Sequence, residues 1–557
     1  MSGRERLIAS DAINRLRQRD ASLFSTDPSA RIPIAQRLGW TDLADKAPNR
    51  LPLLDDLATA IKTEGATDLL LLGMGGSSLA PLVMARIIGG SRGYPTLHVL
   101  DTTSPVQVMR TLASLDPATT YAIIASKSGS TIEPLSLYAI VREWLEGAGV
   151  APADAGRRFI VITDPGSPLE KLRDRDGLRV SLPAPATVGG RYSALSMFGL
   201  APAALIGIHL PSLIARAKAM EDACAESILD NPAALLAAWL IDAEEDARNK
   251  LTLVFSPALR PLGLWIEQLV AESLGKDGNG IVPVIEYDPV PDPGYDADRM
   301  VCVLRFDDDT QLATWSRTQA IDHPVFELTV TDVFEVGAEF VRWEYAVALA
   351  GSLLGVNPFD EPNVTEAKLA TEHILETGGR GVPKAKADLD GTWVTLAGSM
   401  SVPPEGIASR AEILKAAFKG TRHHGYVTVL AYLPEDEELL GPLTEACTHV
   451  GRTLRRATCL ELGPRYLHST GQLHKGGPST GVFVLVTARD RADVAIPGRN
   501  YSLGALHRAQ AEGDLVTLGE HGRRVVRLDL PDSSPETIRA LAADLIEGAG
   551  EERRRGR

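Results

Sequence analysis

The sequence predicts an α/β protein: two parallel sheets flanked by helices, with a third α/β unit at the C-terminal end. Short apolar runs of strand length recur along the chain. Each is closed by turn residues and followed by a helical pattern, as in a parallel sheet wrapped by helices. The pattern starts near residue 69, restarts near 250 and starts again near 426. A chain of 557 residues has length for three or four domains at roughly 150 residues each, so three such units fit.

Residues 1–45 read as an amphipathic helical segment. LLLLGM (69–74), LHVLD (97–101), YAIIAS (121–126) and RFIVITD (158–164) are the strands of a first unit, residues 46–190. KLTLVFSP (250–257), RMVCVLRF (299–306) and VFELTVTD (325–332) are the strands of a second, residues 191–380, with helices over 262–276 and 337–355. The two units share a pattern but no residue-level repeat. A stretch rich in glycine and charge, 378–395, marks a boundary. YVTVLAYLP (426–434), TEACTHVGRTLRRATC, LELGP (460–464), GVFVLVTA (481–488) and RVVRLDLP (524–531) then give a third α/β unit, residues 385–545. The remainder, 546–557, ends in EERRRGR and is expected to be disordered.

Composition narrows the function. Hydrophobic residues make up 44% and charged residues 23%, as in a folded globular protein. The 57 basic and 72 acidic residues leave a net charge of −15, which disfavours general binding to nucleic acid or to an anionic membrane. The four cysteines, Cys224, Cys302, Cys447 and Cys459, form no CxxC pair, which suits a reducing cytosol and no zinc ribbon. The N-terminus has no signal-peptide pattern. Residues 193–214 lack Asp, Glu, Lys and Arg, but Pro202, His209 and Pro211 interrupt them, so they read as a buried helix and its turn. A cytoplasmic location is expected.

Four motifs carry chemistry. GMGGSS (73–78) lies between a strand and a helix, where glycines let a ligand approach the backbone. It is neither a Walker A motif nor GxGxxG. SKSGST (126–131) places Ser126, Lys127, Ser128, Ser130 and Thr131 at the start of a helix. Hydroxyls, free N–H groups and the helix dipole together suit a phosphate, whereas a plain helix cap needs only one of them. VGGRYS (188–193) sets Arg191 behind two glycines, as for an anion or an oxyanion. EQLVAES (267–273) places Glu267 and Glu272 on different faces of one helix, so one of them is free to serve as a general base in a cleft.

Together, GMGGSSLAP (73–81), SKSGSTIEP (126–134), GGRYSALS (189–196), EQLVAESLGK (267–276) and NPFDEPNVTEAK (357–368) resemble the phosphoglucose isomerase family, built from two SIS-type, doubly wound domains. GPRYLHSTGQLHKGGP (463–478) further resembles the isomerase portion of bifunctional transaldolase–isomerase proteins, with no transaldolase portion expected ahead of it. The resemblance implies that Gly76, Ser77, Ser126, Lys127, Ser128 and Thr131 hold a sugar phosphate. Arg191 would lie beside the reacting carbons, Glu272 would move a proton between C2 and C1 through a cis-enediol, and Lys368 would assist at the ring oxygen or the open chain. It implies a homodimer and needs no redox cofactor or metal. The sequence departs from the family in two places. Glu361 stands where the family has glutamine, and a charge there opposes an enediolate unless it is protonated, paired with Lys368 or turned away. The family opens the sugar ring with a histidine, often the partner subunit's; His323, His468 and His474 are the candidates here, with His468 preferred. The loop 463–478 is expected to close over the sugar, from its own chain or from a partner. Interconversion of glucose 6-phosphate and fructose 6-phosphate is the expected activity. A dual phosphoglucose/phosphomannose isomerase and a non-catalytic SIS-domain sugar-phosphate sensor are the alternatives.

Overall fold

In a computed structural model, which describes residues 1–226, 230–287, 289–290, 294–402, 406–421 and 424–550, the first unit is a wholly parallel sheet. β1 (Asp68–Gly73), β2 (Thr96–Leu100), β3 (Thr120–Ala125), β4 (Phe159–Thr163) and β5 (Val180–Pro183) pair in the order β2-β1-β3-β4-β5. The second unit is also parallel: β6 (Lys250–Phe255), β7 (Val282–Glu286), β8 (Arg299–Phe306) and β9 (Val325–Val330), in the order β7-β6-β8-β9. Their central strands are buried on both faces, which is why they read as continuous apolar runs rather than alternating ones.

The sequence pattern omits β5 and β7. Both lie at sheet edges; β5 has four residues, and Pro283 interrupts β7, as an edge strand tolerates.

The third sheet is mixed. β10 (Ala387–Leu389), β11 (Thr392–Gly398), β12 (Tyr426–Tyr432), β13 (Ala457–Leu462), β14 (Gly481–Ala488) and β15 (Arg524–Leu530) pair in the order β10-β11-β15-β14-β12-β13, with β11 antiparallel to both neighbours. The supposed boundary stretch therefore holds a hairpin. Its two turn residues, Asp390 (φ 50°) and Gly391 (φ 82°), are left-handed, the Asp-Gly turn that matches strand twist. β13 begins earlier than expected, because the preceding helix stops at Leu454 and Arg455 turns left-handed (φ 55°).

The N-terminal helices join the main core: Leu7, Leu16, Leu38 and Trp40 pack in one continuous cluster with residues of both parallel sheets. Residues 193–214 form the buried helix Met197–Leu205, a turn, and the start of the helix Leu210–Ala225. The helix Pro535–Ala549 carries residues 546–549, so that part of the expected disordered tail is ordered; 551–557 lie outside the described residues. No helix among the described residues is long and apolar enough to cross a membrane.

Candidate active site

β1 and β3 are neighbours in the middle of the first sheet, and their crossovers leave in opposite directions. The crevice beyond their C-terminal ends is where such a sheet receives ligands. GMGGSS follows β1 and SKSGST follows β3. In the second turn the Ser126 and Thr131 hydroxyls lie 2.8 Å apart, and Ser128 Oγ lies 3.5 Å from Thr131 Oγ1. Thr131 stands at the N-cap of the helix Ile132–Gly147 but makes no side-chain cap bond. Its hydroxyl belongs to the cluster, not to the helix end. Lys127 turns aside: its Nζ lies 2.5 Å from Asp164 Oδ2 and 3.2 Å from the Ala186 carbonyl. Burial lowers its pKa more than Asp164 raises it.

Gly76 is required by a close approach of two backbones. A Cβ there would sit 2.1 Å from the Gly190 carbonyl oxygen, so only glycine lets the turn after β1 lie against GGRYS. At Gly75 (φ 54°) a Cβ would meet the His468 carbonyl oxygen at 2.7 Å. Three segments distant in sequence thus meet at two glycines.

Arg191 is buried and fully engaged. Its Nε donates to Ser273 Oγ (2.9 Å), and its Nη2 donates to the carbonyls of Pro358 and Asp360 (2.8 Å each). Its Nη1 lies 3.1 Å from Glu272 and 3.1 Å from Glu361. Tyr192 stacks on Trp40 at 4.9 Å, so the N-terminal segment buttresses this loop. Glu361 is therefore paired, but with Arg191 and not with Lys368. Lys276 holds the same NPFDEP turn: its Nζ donates to the Asn357 carbonyl and to the carbonyl and carboxylate of Asp360. Burial brings its pKa down to about 8.

Glu272 sits in the last turn of the helix Leu262–Leu274. Its Oε2 accepts a 3.0 Å bond from Gln268 Nε2, one turn earlier on the same face, and that nitrogen also donates to the His468 carbonyl at 2.8 Å. Burial raises the pKa of Glu272; Arg191 opposes the shift, Glu361 adds to it, and the net direction is upward. A carboxylate whose pKa is raised toward the working pH is a better proton acceptor. Gln268 Oε1 is buried with no protein partner. Glu267 faces the other way, beside Glu461 and Arg465.

The loop 463–478 comes from the same chain. His468 Nε2 lies 2.9 Å from Glu133 Oε1. Burial pushes the Glu133 pKa up, but the facing His468, its hydrogen bond, the residue's own backbone N–H and nearby Lys368 outweigh it, and the net shift is downward. Glu133 is thus a carboxylate and His468 donates to it from Nε2. The other histidines are placed elsewhere. His474 is buried between Glu461 (3.0 Å) and the Tyr426 hydroxyl (3.2 Å). His323 meets Tyr295 edge-on at 5.9 Å and adjoins Arg248 and Arg299, away from the Glu272 group. Lys368 is exposed on the helix Pro362–Thr377 and reaches the site only as a charge near Glu133. Gln472 ties the loop down, donating to the carbonyl of Gly275 (3.1 Å) and to Asn363 (2.7 Å).

Sequence reasoning passed over Gln268, Glu133 and Lys276. Gln268 carries a readable signal, four residues before Glu272 on the same helix face. Glu133 lies inside the quoted SKSGSTIEP motif.

Two doubly wound parallel sheets, a hydroxyl-rich turn, a buried carboxylate–guanidinium pair and a carboxylate–histidine pair define a SIS-type α/β protein. The profile described as phosphoglucose isomerase matches residues 59–285. A glucose-6-phosphate isomerase of Rubrobacter xylanophilus is 31% identical over 370 residues, 57% of this chain and 84% of the relative. A probable glucose-6-phosphate isomerase of Natronomonas pharaonis is 30% identical over 398 residues, 64% of this chain and 89% of the relative. Among solved structures, a hypothetical protein of Thermus thermophilus superposes with a TM-score of 0.57 at 25% identity, covering 67% of this chain and 96% of that one. A glucose-6-phosphate isomerase of Chlamydia trachomatis shares the fold, with a TM-score of 0.52 at 18% identity over 66% of this chain and 78% of that one. The chain belongs to the phosphoglucose isomerase family.

Proposed function

We propose that the chain interconverts glucose 6-phosphate and fructose 6-phosphate through a cis-enediol. The observation that carries this is Glu272, a buried carboxylate with a raised pKa held between the Arg191 guanidinium and the Gln268 amide. The phosphate rests on the turn 126–131, with Gly76 and Ser77 beside it. His468, held by Glu133, takes the proton of the anomeric hydroxyl and returns it to the ring oxygen. Lys368 contributes a positive charge near Glu133. Glu272 then removes the proton from C2 and returns it at C1 as the O2 hydroxyl proton passes to O1, while the positive charge of Arg191 beside Glu272 stabilises the enediolate. The segments divide the work: 46–190 takes the phosphate, 191–380 carries the base, and 385–545 supplies the ring-opening histidine.

A homodimer is compatible with this scheme, whose named groups are all residues of one chain. Both departures from the family have partners in the site: Glu361 with Arg191 and His468 with Glu133. A cytoplasmic location follows from the reaction's substrates. The test is turnover of fructose 6-phosphate by the purified protein, followed by coupling to glucose-6-phosphate dehydrogenase, with mannose 6-phosphate as the comparison substrate. Absence of turnover removes the proposal.

A further inference from the structure

We propose that Gln510, in the C-terminal unit, is a positioning residue that fixes the Glu133 carboxylate for His468. Glu133 is on the first helix after SKSGST, and Gln510 is 377 positions away on the helix Leu503–Glu520. Gln510 Nε2 lies 2.7 Å from Glu133 Oε1, the same oxygen that receives His468 Nε2 at 2.9 Å. The orientation of the amide is fixed from both ends. Glu133 is ionised and accepts only, so Gln510 presents its nitrogen to it. The Gln510 oxygen then faces Thr103 Oγ1, which donates to it at 2.6 Å. Thr103 also lies 2.9 Å from His507 Nδ1. His507 is packed edge-on against Tyr432 at 5.3 Å, and burial lowers its pKa to about 4, so it adds no charge beside Glu133 near neutral pH. Gln510 and Thr103 are buried, and an amide there has no solvent to turn toward.

The chain Thr103–Gln510–Glu133–His468 crosses repeatedly between the first unit and the C-terminal unit. Its free end is the imidazole that meets the sugar. A carboxylate held by one hydrogen bond can rotate about its terminal torsion; one held by two at the same oxygen, with its own backbone N–H as a third contact, is pinned. The C-terminal unit therefore supplies both the histidine and the residue that aims the histidine's partner. Gln510 touches neither substrate nor reacting atoms, so its effect passes through Glu133.

This rests on the isomerase reading, and wild-type turnover tests that reading separately. In Gln510→Met, which keeps length and burial but has no amide, kcat for glucose 6-phosphate is expected to fall about ten-fold, the order for a slightly misplaced catalytic group, with KM changed less than about two-fold. In a Glu133→Gln background the same substitution should cost nothing further. Thr103→Val, which frees the far end of Gln510, should give a smaller fall of the same kind and serves if Gln510→Met does not fold. A readout independent of turnover is the nitrogen NMR signal of the His468 ring, identified by its loss in His468→Gln. Its Nε2 proton should exchange slowly in the wild type and fast in Gln510→Met or Thr103→Val. Unchanged kcat and ring signals, or effects that add to those of Glu133→Gln, overturn the proposal.

Discussion

Glu272 and Glu133 are the same residue type, both buried on helices and linked through Gln268 and His468, and their surroundings drive them in opposite directions. Glu272 sits wholly within the second unit. It shares the Arg191 guanidinium with Glu361, and burial plus that second carboxylate raise its pKa. Glu133 sits between the first and C-terminal units, where His468, with help from Lys368, overcomes burial and lowers its pKa. Diverging carboxyl environments of this kind assign the chemistry. Glu272 takes and returns a proton in the proposed reaction, while Glu133 stays charged and supports an imidazole. In the proposed reaction one region moves the proton on carbon and the other opens the ring.

Four variants break or sharpen that division. Glu272→Gln removes the carbon base while keeping an amide of the same shape, and kcat should fall by about 10²–10⁴ or more with substrate binding retained. If most turnover remains, Glu267 on the opposite face becomes the candidate. His468→Gln should cost less, roughly 10-fold to 100-fold on cyclic substrate, toward the lower end of what a general acid–base group contributes, because uncatalysed ring opening bypasses it; stopped-flow with freshly dissolved anomers reads the difference. Ser128→Ala with Thr131→Ala should raise KM for the sugar phosphate while the thermal midpoint moves little. A helix cap would cost about 1 kcal/mol of stability, but Thr131 makes no side-chain cap bond. A lowered midpoint with unchanged KM would return the turn to a structural role. The smallest effect belongs to Glu361→Gln. Glu361 adds to the raised pKa of Glu272, and Glu272 must be ionised to act, so loss of that charge lets it ionise at lower pH. The acid limb of the kcat/KM profile should move down in pH; an upward or absent shift would show that Glu361 does not act on Glu272.

The sequence exposes the Glu272 half of this comparison more fully than the Glu133 half. GMGGSS, SKSGST and GGRYS are local turns whose glycines and hydroxyls advertise themselves, and the strands before the first two are buried apolar runs. Glu272 and Gln268 share one helix face, so helical spacing alone relates them. Glu133 depends on His468 and Gln510, which arrive 335 and 377 residues later in the chain, and no periodicity links such positions. For the same reason the pairing of Glu361 with Arg191 across 170 residues was open, with Lys368 an equally reasonable partner on spacing. Missed strands have local causes: β5 is short, β7 carries Pro283, and the β10–β11 hairpin lies in a stretch whose glycine and charge also suit a linker.

The most direct test of the separation between the two carboxylates is proton NMR of glucose 6-phosphate in D2O with Glu272→Gln protein. Ring opening needs His468 and Glu133 but not Glu272. The variant should therefore still accelerate exchange between the α and β anomers while placing no deuterium at C2. Loss of both activities together would show that the two sites are not separable, and deuterium at C2 would show that Glu272 is not the base.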